Sequence, residues 1–186
     1  MLKIILLPTD SFLPNIGGME IGLHNIALGL KKRGYVPILL IPFKTFFEIK
    51  KKSIRLPYKI IPNIPKLNPL LTNFPNITFF IFEMYMKLVT KIYDISLFHV
   101  TSCYPIGVVI IRYAKKNKVP VLVRAVGADI QIDEEIGYGI RINRKVDELF
   151  RYWVPKADYL IATTNTVKNE FKKLNIPDNQ IKNIPN

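Results

Sequence analysis

The sequence predicts an α/β protein built on a doubly wound parallel sheet. Short aliphatic and β-branched runs alternate with helical stretches from one end of the chain to the other, which is typical of a parallel sheet covered on both faces. The first run, LKIILLP, is continuously apolar, as expected of a strand that is buried on both sides. With 186 residues, of which 49% are hydrophobic, the chain is long enough for one well-packed domain.

The first half of the chain is predicted to hold three strands and two helices. A helix from Met19 to Arg33 follows the first strand, and Gly34 directly after its terminal cations is a typical stop signal. The next strands are YVPILLIP and IRLPYKIIP, and Pro57 inside the latter predicts an edge strand or a bend. The proline- and asparagine-rich stretch from Pro62 to Pro75 predicts an irregular loop. Ile77 to Tyr93 predicts a buried helix, and its aromatic and β-branched content leaves a strand as the alternative.

The second half continues the same alternation. The predicted strands are ISLFHV, VPVLVRAVG and DYLIAT, followed by a β-like run in the terminal IKNIPN. Helices are predicted for IGVVIIRYAKKNK, for Lys145 to Lys156 and for Thr166 to Leu174, whereas Asp129 to Asn143 should be irregular. These elements complete the pattern of a parallel sheet with helical crossovers.

The net positive charge predicts attraction to anions but does not identify a particular anion. The chain has 27 Lys and Arg against 14 Asp and Glu, a net charge of +13. Nucleic acid, a phosphorylated small molecule and acidic lipid headgroups would all be attracted, and a lysine-rich solvated surface without a specific partner explains the same count. Charge alone therefore identifies no partner.

Other classes of protein are disfavoured by composition. A single cysteine, Cys103, and two histidines give neither a disulfide framework nor zinc-ligand spacing, which fits a reducing, cytoplasmic setting. The opening MLKIILLP has no small-residue cleavage site and is interpreted as a strand, not a signal peptide. The later apolar run NITFFIFEMYMKLVTKIY is interrupted by Glu83 and Lys87 and is shorter than the roughly 20 residues of a spanning helix.

The candidate site residues lie in three predicted loops. In a doubly wound sheet, ligands bind beyond the carboxyl ends of the strands, which directs attention to Asp10 to Gly18, Thr101 to Pro105 and Arg124 to Asp129. The first loop contains neither a dinucleotide fingerprint nor a P-loop. Gly17 and Gly18 could still expose N–H groups to a phosphate at the start of the helix, or could serve only as a flexible turn.

The stretch LPNIGGMEIGLHNIALGLKKRGYVPILL resembles the start of the GT-B glycosyltransferases of family four. Their first loop runs Pro-x-x-Gly-Gly-x-Glu and leads into a helix that ends in Arg-Gly-His or a similar sequence. The matching positions in this chain are Pro14, Gly17, Gly18, Glu20, Arg33 and Gly34.

Further matches follow in the same order along the chain. YDISLFHVTSCYPIG is similar to the family's Asp-x-x-His-x-His segment with Tyr-Pro-x-Gly, although Leu97 replaces the first histidine. VPVLVRAVGADI resembles the strand that ends in His-Gly-x-Asp, with Val126 in place of the histidine, and IKNIPN resembles the junction between the two halves of such enzymes. The retained positions are Asp94, His99, Tyr104, Pro105, Gly107, Gly127, Asp129, Ala157 and Asp158, with Thr164 for a serine.

The resemblance implies that residues 1–186 are the N-terminal, acceptor-side half of a GT-B fold. This half is a single Rossmann-like domain, and the C-terminal donor-binding domain would be absent. The implied activity is retaining transfer of a sugar from a nucleotide-sugar donor to a saccharide or lipid-linked acceptor, with little or no turnover by this half alone. No metal or other cofactor is expected, and no nucleic acid.

The resemblance also implies roles for individual residues. Gly17 and Gly18 would face the donor phosphates, and Asp129 would be catalytic. The residues expected to bind the acceptor or the sugar are Glu20, His99, Tyr104, Arg124 and Gly127. Because valine cannot hydrogen-bond through its side chain, Val126 puts one usual sugar contact in doubt, and nearby Arg124 could compensate or could be an ordinary ion-pair residue.

Three alternatives stay open at this level. The chain could be a non-catalytic acceptor-binding or assembly subunit that pairs with a separate donor-binding chain. Another α/β enzyme such as an oxidoreductase is disfavoured, because the dinucleotide fingerprint is missing. The basic aromatic stretch from Phe43 to Lys52 could make peripheral contact with the inner face of a membrane, or could be a solvated loop.

Overall fold

The computed structural model describes residues 3–185, which form seven β-strands and seven α-helices. The strands are β1 (Ile4–Pro8), β2 (Val36–Ile41), β3 (Lys59–Pro62), β4 (Ile95–Thr101), β5 (Val121–Arg124), β6 (Tyr159–Ala162) and β7 (Ile181–Asn183). The helices are α1 (Gly18–Lys32), α2 (Phe43–Lys51), α3 (Leu67–Asn73), α4 (Pro75–Ile92), α5 (Ile106–Asn117), α6 (Arg144–Trp153) and α7 (Asn165–Lys173). The predicted start of the first strand at Leu2 and the last junction residue, Asn186, lie outside the described residues.

The strands of the described chain form one parallel sheet in the order β3-β2-β1-β4-β5-β6-β7. The chain first winds outward from β1 to β2 and β3, and then returns to place β4 on the other side of β1. The order therefore reverses between β1 and β4, which is where a doubly wound sheet opens a crevice. This arrangement confirms the predicted α/β, Rossmann-like fold.

Helices are distributed unevenly over the two faces of the sheet. One face packs against α3 to α7 through a large apolar core that includes Phe82, Phe98 and Phe150. On the other face, α1 and α2 pack over β1 and β2 in a smaller core that includes Leu23 and Ile49. Beside α1, Arg124 of β5 and Ile161 of β6 line part of a cleft.

Two segments for which no helix was predicted are helical. The stretch from Phe43 to Lys52, for which a solvated loop was one of two interpretations, contains α2, because burial of Thr45 and Ile49 fixes its inner side against the sheet. The proline-rich stretch contains α3, whose Pro69 lies in the first turn, where a missing N–H costs no intrahelical hydrogen bond. The helix prediction for the following segment is confirmed, but α4 is buried along one side only.

Candidate functional site

Gly17 and Gly18, at the start of α1, have different surroundings. Gly17 is the N-cap residue, and a Cβ placed on it would lie 2.6 Å from Oε2 of Glu20, whose other carboxylate oxygen accepts a hydrogen bond from Ser11. Gly17 thus makes room for the Glu20 side chain, which lies over the loop. A Cβ on Gly18 would meet nothing within 4 Å. The glycine at position 18 is therefore exposed at the positive end of the helix with open space in front of it.

Arg124, at the end of β5, lies against this same helix. The residue is only 5% exposed, and a Cβ on Gly22 would come within 3.4 Å of both terminal guanidinium nitrogens. Gly22 therefore allows the guanidinium to pack directly on α1. Burial lowers the pKa of Arg124, but an arginine stays protonated at neutral pH, so its charge adds to the positive end of the helix.

His99, on β4, contributes a neutral polar group. Desolvation, with a smaller contribution from the nearby Arg124 charge, lowers its pKa to about 4, so the imidazole is uncharged at neutral pH. Its Nε2 is buried and forms no hydrogen bond with any group in residues 3–185. A buried polar atom of this kind is typically satisfied by water or a ligand.

These groups meet in one cleft of about 590 Å³ at the carboxyl edge of the sheet. Its lining residues are Gly18, Ile21, Gly22, Asn25, Ile26, His99, Arg124, Ile161, Ile184 and Pro185. None of these described residues is an Asp or Glu, whereas Arg124 is a cation. The cleft therefore combines a helix N-terminus, a buried positive charge and apolar walls, a setting that suits an anionic group attached to a less polar body.

Asp129 lies elsewhere, buried between two loops. Its carboxylate accepts hydrogen bonds from the N–H of Cys103 at 2.6 Å and from the N–H of Val126 at 2.9 Å. Burial raises its pKa, and these two hydrogen bonds act in the opposite direction. The side chain joins the loops that follow β4 and β5, and it does not line the cleft. Its predicted catalytic role stays a prediction.

The other predicted ligand residues are also outside the cleft lining. Tyr104 is buried, and its hydroxyl forms a 2.6 Å hydrogen bond with that of Thr72. Gly127 has a φ of +104°, a left-handed conformation that favours glycine in the loop after β5. Sequence reasoning thus placed Gly18, His99 and Arg124 where the structure brings them together, while Glu20, Tyr104 and Gly127 shape the surrounding loops.

One titratable residue was not singled out by sequence reasoning. Asp10 follows β1, and burial raises the pKa of its carboxyl group to about 7 despite hydrogen bonds from Ser102 and the N–H of Ile106. It lines a second cleft, of about 550 Å³, together with Lys44, Lys66, Pro105 and neighbouring residues. Its only sequence signal was its place directly after the central strand, where a turn carboxylate is also common.

The family model described as Glycosyltransferase Family 4 matches residues 16–186, which is nearly the whole chain. The chain belongs to glycosyltransferase family 4. The match begins just before Gly17 and Gly18 and extends through β7. It therefore includes every residue that lines the 590 Å³ cleft beside α1, which we call the α1 cleft.

The solved structures that share this fold belong to proteins much longer than this family 4 chain. A glycosyltransferase from Rickettsia africae superposes with a TM-score of 0.64 at 19% identity, over 98% of this chain and 43% of that protein. HepE from Anabaena, solved with UDP, gives 0.61 at 19% identity, over 100% and 44%. UDP-GlcNAc 2-epimerase from Methanocaldococcus jannaschii gives 0.60 at 16% identity, over 98% and 45%. The family 4 chain thus spans less than half the length of each of these proteins.

No curated protein matches the sequence of this chain significantly. None of the helices in residues 3–185 has the length and apolar character that crossing a membrane requires. The same residues contain no group of three or more His, Cys, Asp or Glu arranged to hold a metal ion, and the absence of a metal from the reaction stays a prediction.

Proposed function

We propose that this family 4 chain is the N-terminal, acceptor-side domain of an enzyme that transfers a sugar, with retention, from a nucleotide-sugar donor. The acceptor is a saccharide or a lipid-linked molecule, and a basic face of the chain meets the membrane that carries a lipid-linked acceptor. The C-terminal domain supplies the other wall of the donor site, so this domain by itself turns over little or no substrate.

The α1 cleft is the observation that carries the proposal. Sugar transfer leaves negative charge on the departing diphosphate, and fixed positive groups beside that charge lower the barrier. The N–H groups of the first turn of α1 and the guanidinium of Arg124 provide such groups in one cleft. This arrangement favours Arg124 as a partner of the diphosphate as well as of the sugar.

His99 is the candidate contact for the transferred sugar. Its uncharged imidazole lies in the same cleft as Arg124, and its buried Nε2 can hydrogen-bond a sugar hydroxyl. Val126, at the position where family members usually have a histidine, contributes its N–H to Asp129 instead. In this chain the polar contact therefore comes from β4.

The second cleft is the candidate acceptor site. Pro105 brings the predicted Tyr104 loop to its wall, and Lys44 and Lys66 contribute positive charge. Asp10, with a pKa near 7, can accept a hydrogen bond or a proton from an acceptor hydroxyl at neutral pH. Both clefts lie beyond the carboxyl ends of the strands, as expected for substrates of a doubly wound sheet.

A transfer assay tests the proposal. The protein, expressed from its complete reading frame, is incubated with a panel of nucleotide sugars and saccharide or lipid-linked acceptors, and products are identified by mass spectrometry. We expect a glycosylated acceptor, and we expect Arg124→Leu to lower kcat/KM at least about tenfold, since a hydrogen bond to a charged group contributes about 1.5–3 kcal/mol. Arg55→Leu makes the same charge change at an exposed position between α2 and β3 and should have little effect.

Other products would point elsewhere. Release of an epimerised free sugar or nucleotide sugar would favour the activity of the epimerases that share this fold. Acceptor binding without transfer from any donor would favour the non-catalytic binding subunit. Equal losses from Arg124→Leu and Arg55→Leu would remove the assigned role of the α1 cleft.

A further inference from the structure

Helix α4 has an unusual outer surface for a helix on a globular domain. Along it, exposed apolar side chains recur at the spacing of one helix face, which we call the α4 face. Its apolar members are Ile77, Phe80, Ile81, Met84, Leu88 and Ile92, and Lys87 and Lys91 are its exposed cations. Phe80 is 65% exposed and Leu88 is 63% exposed, so these large side chains are not edges of the core.

The α4 face cannot turn inward to bury itself. On the opposite side of the helix, Phe79 and Met86 are buried in the large core, and the guanidinium of Arg112 lies 4.7 Å from the Phe79 ring. At the flank, Glu83 accepts a 2.6 Å hydrogen bond from Lys116 on α5. These contacts fix the rotation of the helix, so the apolar stripe faces away from the core of residues 3–185.

The stripe is long and continuous. From Ile77 to Ile92 it covers 16 residues, or roughly 22 Å at the helical rise of about 1.5 Å per residue. Scattered exposed apolar residues are ordinary, but a contiguous apolar patch of this size typically marks a surface that meets another phase or molecule.

Charge around the stripe selects the partner. The exposed ionic groups on the described α4 face are both lysines, whereas Glu83 is nearly buried and is engaged by Lys87, Arg112 and Lys116. An apolar helix face flanked by lysines fits the interface of a bilayer, where the lysine stems lie along the acyl boundary and the ammonium groups reach anionic headgroups. We infer that the α4 face docks this protein on the surface of an anionic phospholipid membrane.

A second copy of the chain fits this surface less well. Two α4 faces packed together would bury Lys91 from both copies, and the acid of the described helix, Glu83, is already held by Lys87, Arg112 and Lys116. Burying unpaired charges at an interface is costly, whereas a headgroup layer supplies the phosphates that pair with them.

The basic aromatic helix α2 is the competing surface on this chain. Its exposed large apolar residues are Phe43 and Phe47, whose rings already pack against each other at 4.8 Å, and Lys44, Glu48 and Lys51 interrupt the patch. The α4 face exposes more apolar side chains in one unbroken row. The inference extends the membrane contact in the proposed function, but its test needs no sugar transfer, so the two can fail independently.

Vesicle flotation tests the inference directly. The protein is mixed with vesicles of phosphatidylcholine and phosphatidylglycerol, or of phosphatidylcholine alone, and the bound fraction is measured as lipid is added. The first variant is Phe80→Gln with Leu88→Gln, and the second is Lys87→Gln with Lys91→Gln. A matched control, Phe43→Gln with Phe47→Gln, removes two exposed aromatic residues from α2. Circular dichroism of each variant checks that its fold is intact.

We expect binding to the anionic vesicles, at least about tenfold weaker for the apolar α4 variant and about fivefold weaker for each lysine removed, with the α2 control unchanged. Absence of binding by the unaltered protein would overturn the inference, as would a loss confined to the α2 control. Light scattering measures the oligomeric state. If the unaltered protein is a dimer and the apolar α4 variant is a monomer, the α4 face binds a second copy and the inference is wrong.

Discussion

The carboxylate of Asp129 accepts a hydrogen bond from the backbone N–H of Cys103, 26 residues earlier in the chain, at 2.6 Å. A second hydrogen bond, from the N–H of Val126 at 2.9 Å, joins the same carboxylate to the loop after β5. One buried side chain thus holds together the two loops beyond β4 and β5. These are also the strands that carry His99 and Arg124, so the geometry of the α1 cleft depends on a residue that does not line it.

Removing this carboxylate should destabilise the protein. Asp129→Ala leaves two N–H groups without their acceptor, and each buried unsatisfied donor costs about 1–3 kcal/mol. We expect a loss of about 3 kcal/mol in the free energy of unfolding, measured by urea denaturation. Asp133→Ala, an exposed carboxylate in the same loop region, should change it by less than about 0.5 kcal/mol. A normally stable Asp129→Ala protein that loses transfer activity would instead support the catalytic role.

Asp10 should make stability fall as pH rises toward neutral. Its pKa is about 7 in the folded protein against 3.8 for an ordinary aspartate, so the folded state binds the proton more tightly. The contribution is fully present below pH 4 and is lost as pH rises to 7, with a slope of at most about 1.4 kcal/mol per pH unit. Asp10→Asn should flatten the decline in unfolding free energy across this range. An unchanged pH profile would mean that Asp10 has an ordinary pKa.

His99 should act in the opposite direction. Its pKa is about 4 in the folded protein and 6.5 in a free chain, so between these values the unfolded state binds more protons. The contribution of His99 is therefore present above pH 6.5 and is lost as pH falls toward 4. His99→Gln should remove this acid sensitivity, which denaturation at pH 5 and pH 7 measures. His24→Gln replaces a histidine that pairs with Tyr58 and serves as the comparison.

The guanidinium of Arg124 should determine much of the affinity of the α1 cleft for a diphosphate. Titration calorimetry with inorganic pyrophosphate should give weak binding to this chain, because its cleft provides one wall of the proposed site. Arg124→Leu should weaken that binding about tenfold or more and Arg124→Lys less, since lysine keeps the charge but not the forked geometry. Arg55→Leu is the control for the overall charge. Equal affinities of the unaltered protein and Arg124→Leu would contradict the assignment.

Gly18 offers a separation of folding from binding. A methyl group on Gly18 meets no atom within 4 Å, so Gly18→Ala should leave the free energy of unfolding unchanged or slightly higher. The same methyl would stand in front of the first helical turn, and pyrophosphate should then bind several-fold more weakly. Gly29→Ala, in the same helix but away from the cleft, should leave binding unaffected. Loss of stability without loss of binding would indicate a purely conformational glycine.

Sequence reasoning reached parts of the site because a parallel sheet directs its loops to one edge. Gly18, His99 and Arg124 each follow or end a predicted element, so their common location at the carboxyl edge was predictable. Asp10 was included in a candidate loop but was given no role, because a single carboxylate after a strand has no distinctive pattern and only its burial changes its chemistry. The helix α2 was missed because nine residues with a mixed aromatic and basic pattern give a weak periodic signal.

The sequence alone determined the order of strands and helices, the family, and the edge of the sheet where the candidate site lies. Hydrophobic periodicity and glycine positions are local properties of the chain, so they can be recognised without the structure. Tertiary packing decided the rest. It placed Arg124 against Gly22 in one cleft, enclosed Asp129 between two loops, and left one side of α4 in contact with solvent. The physical reason is that burial, pKa and exposure depend on which neighbours surround a residue, and residues far apart in the chain supply most of those neighbours.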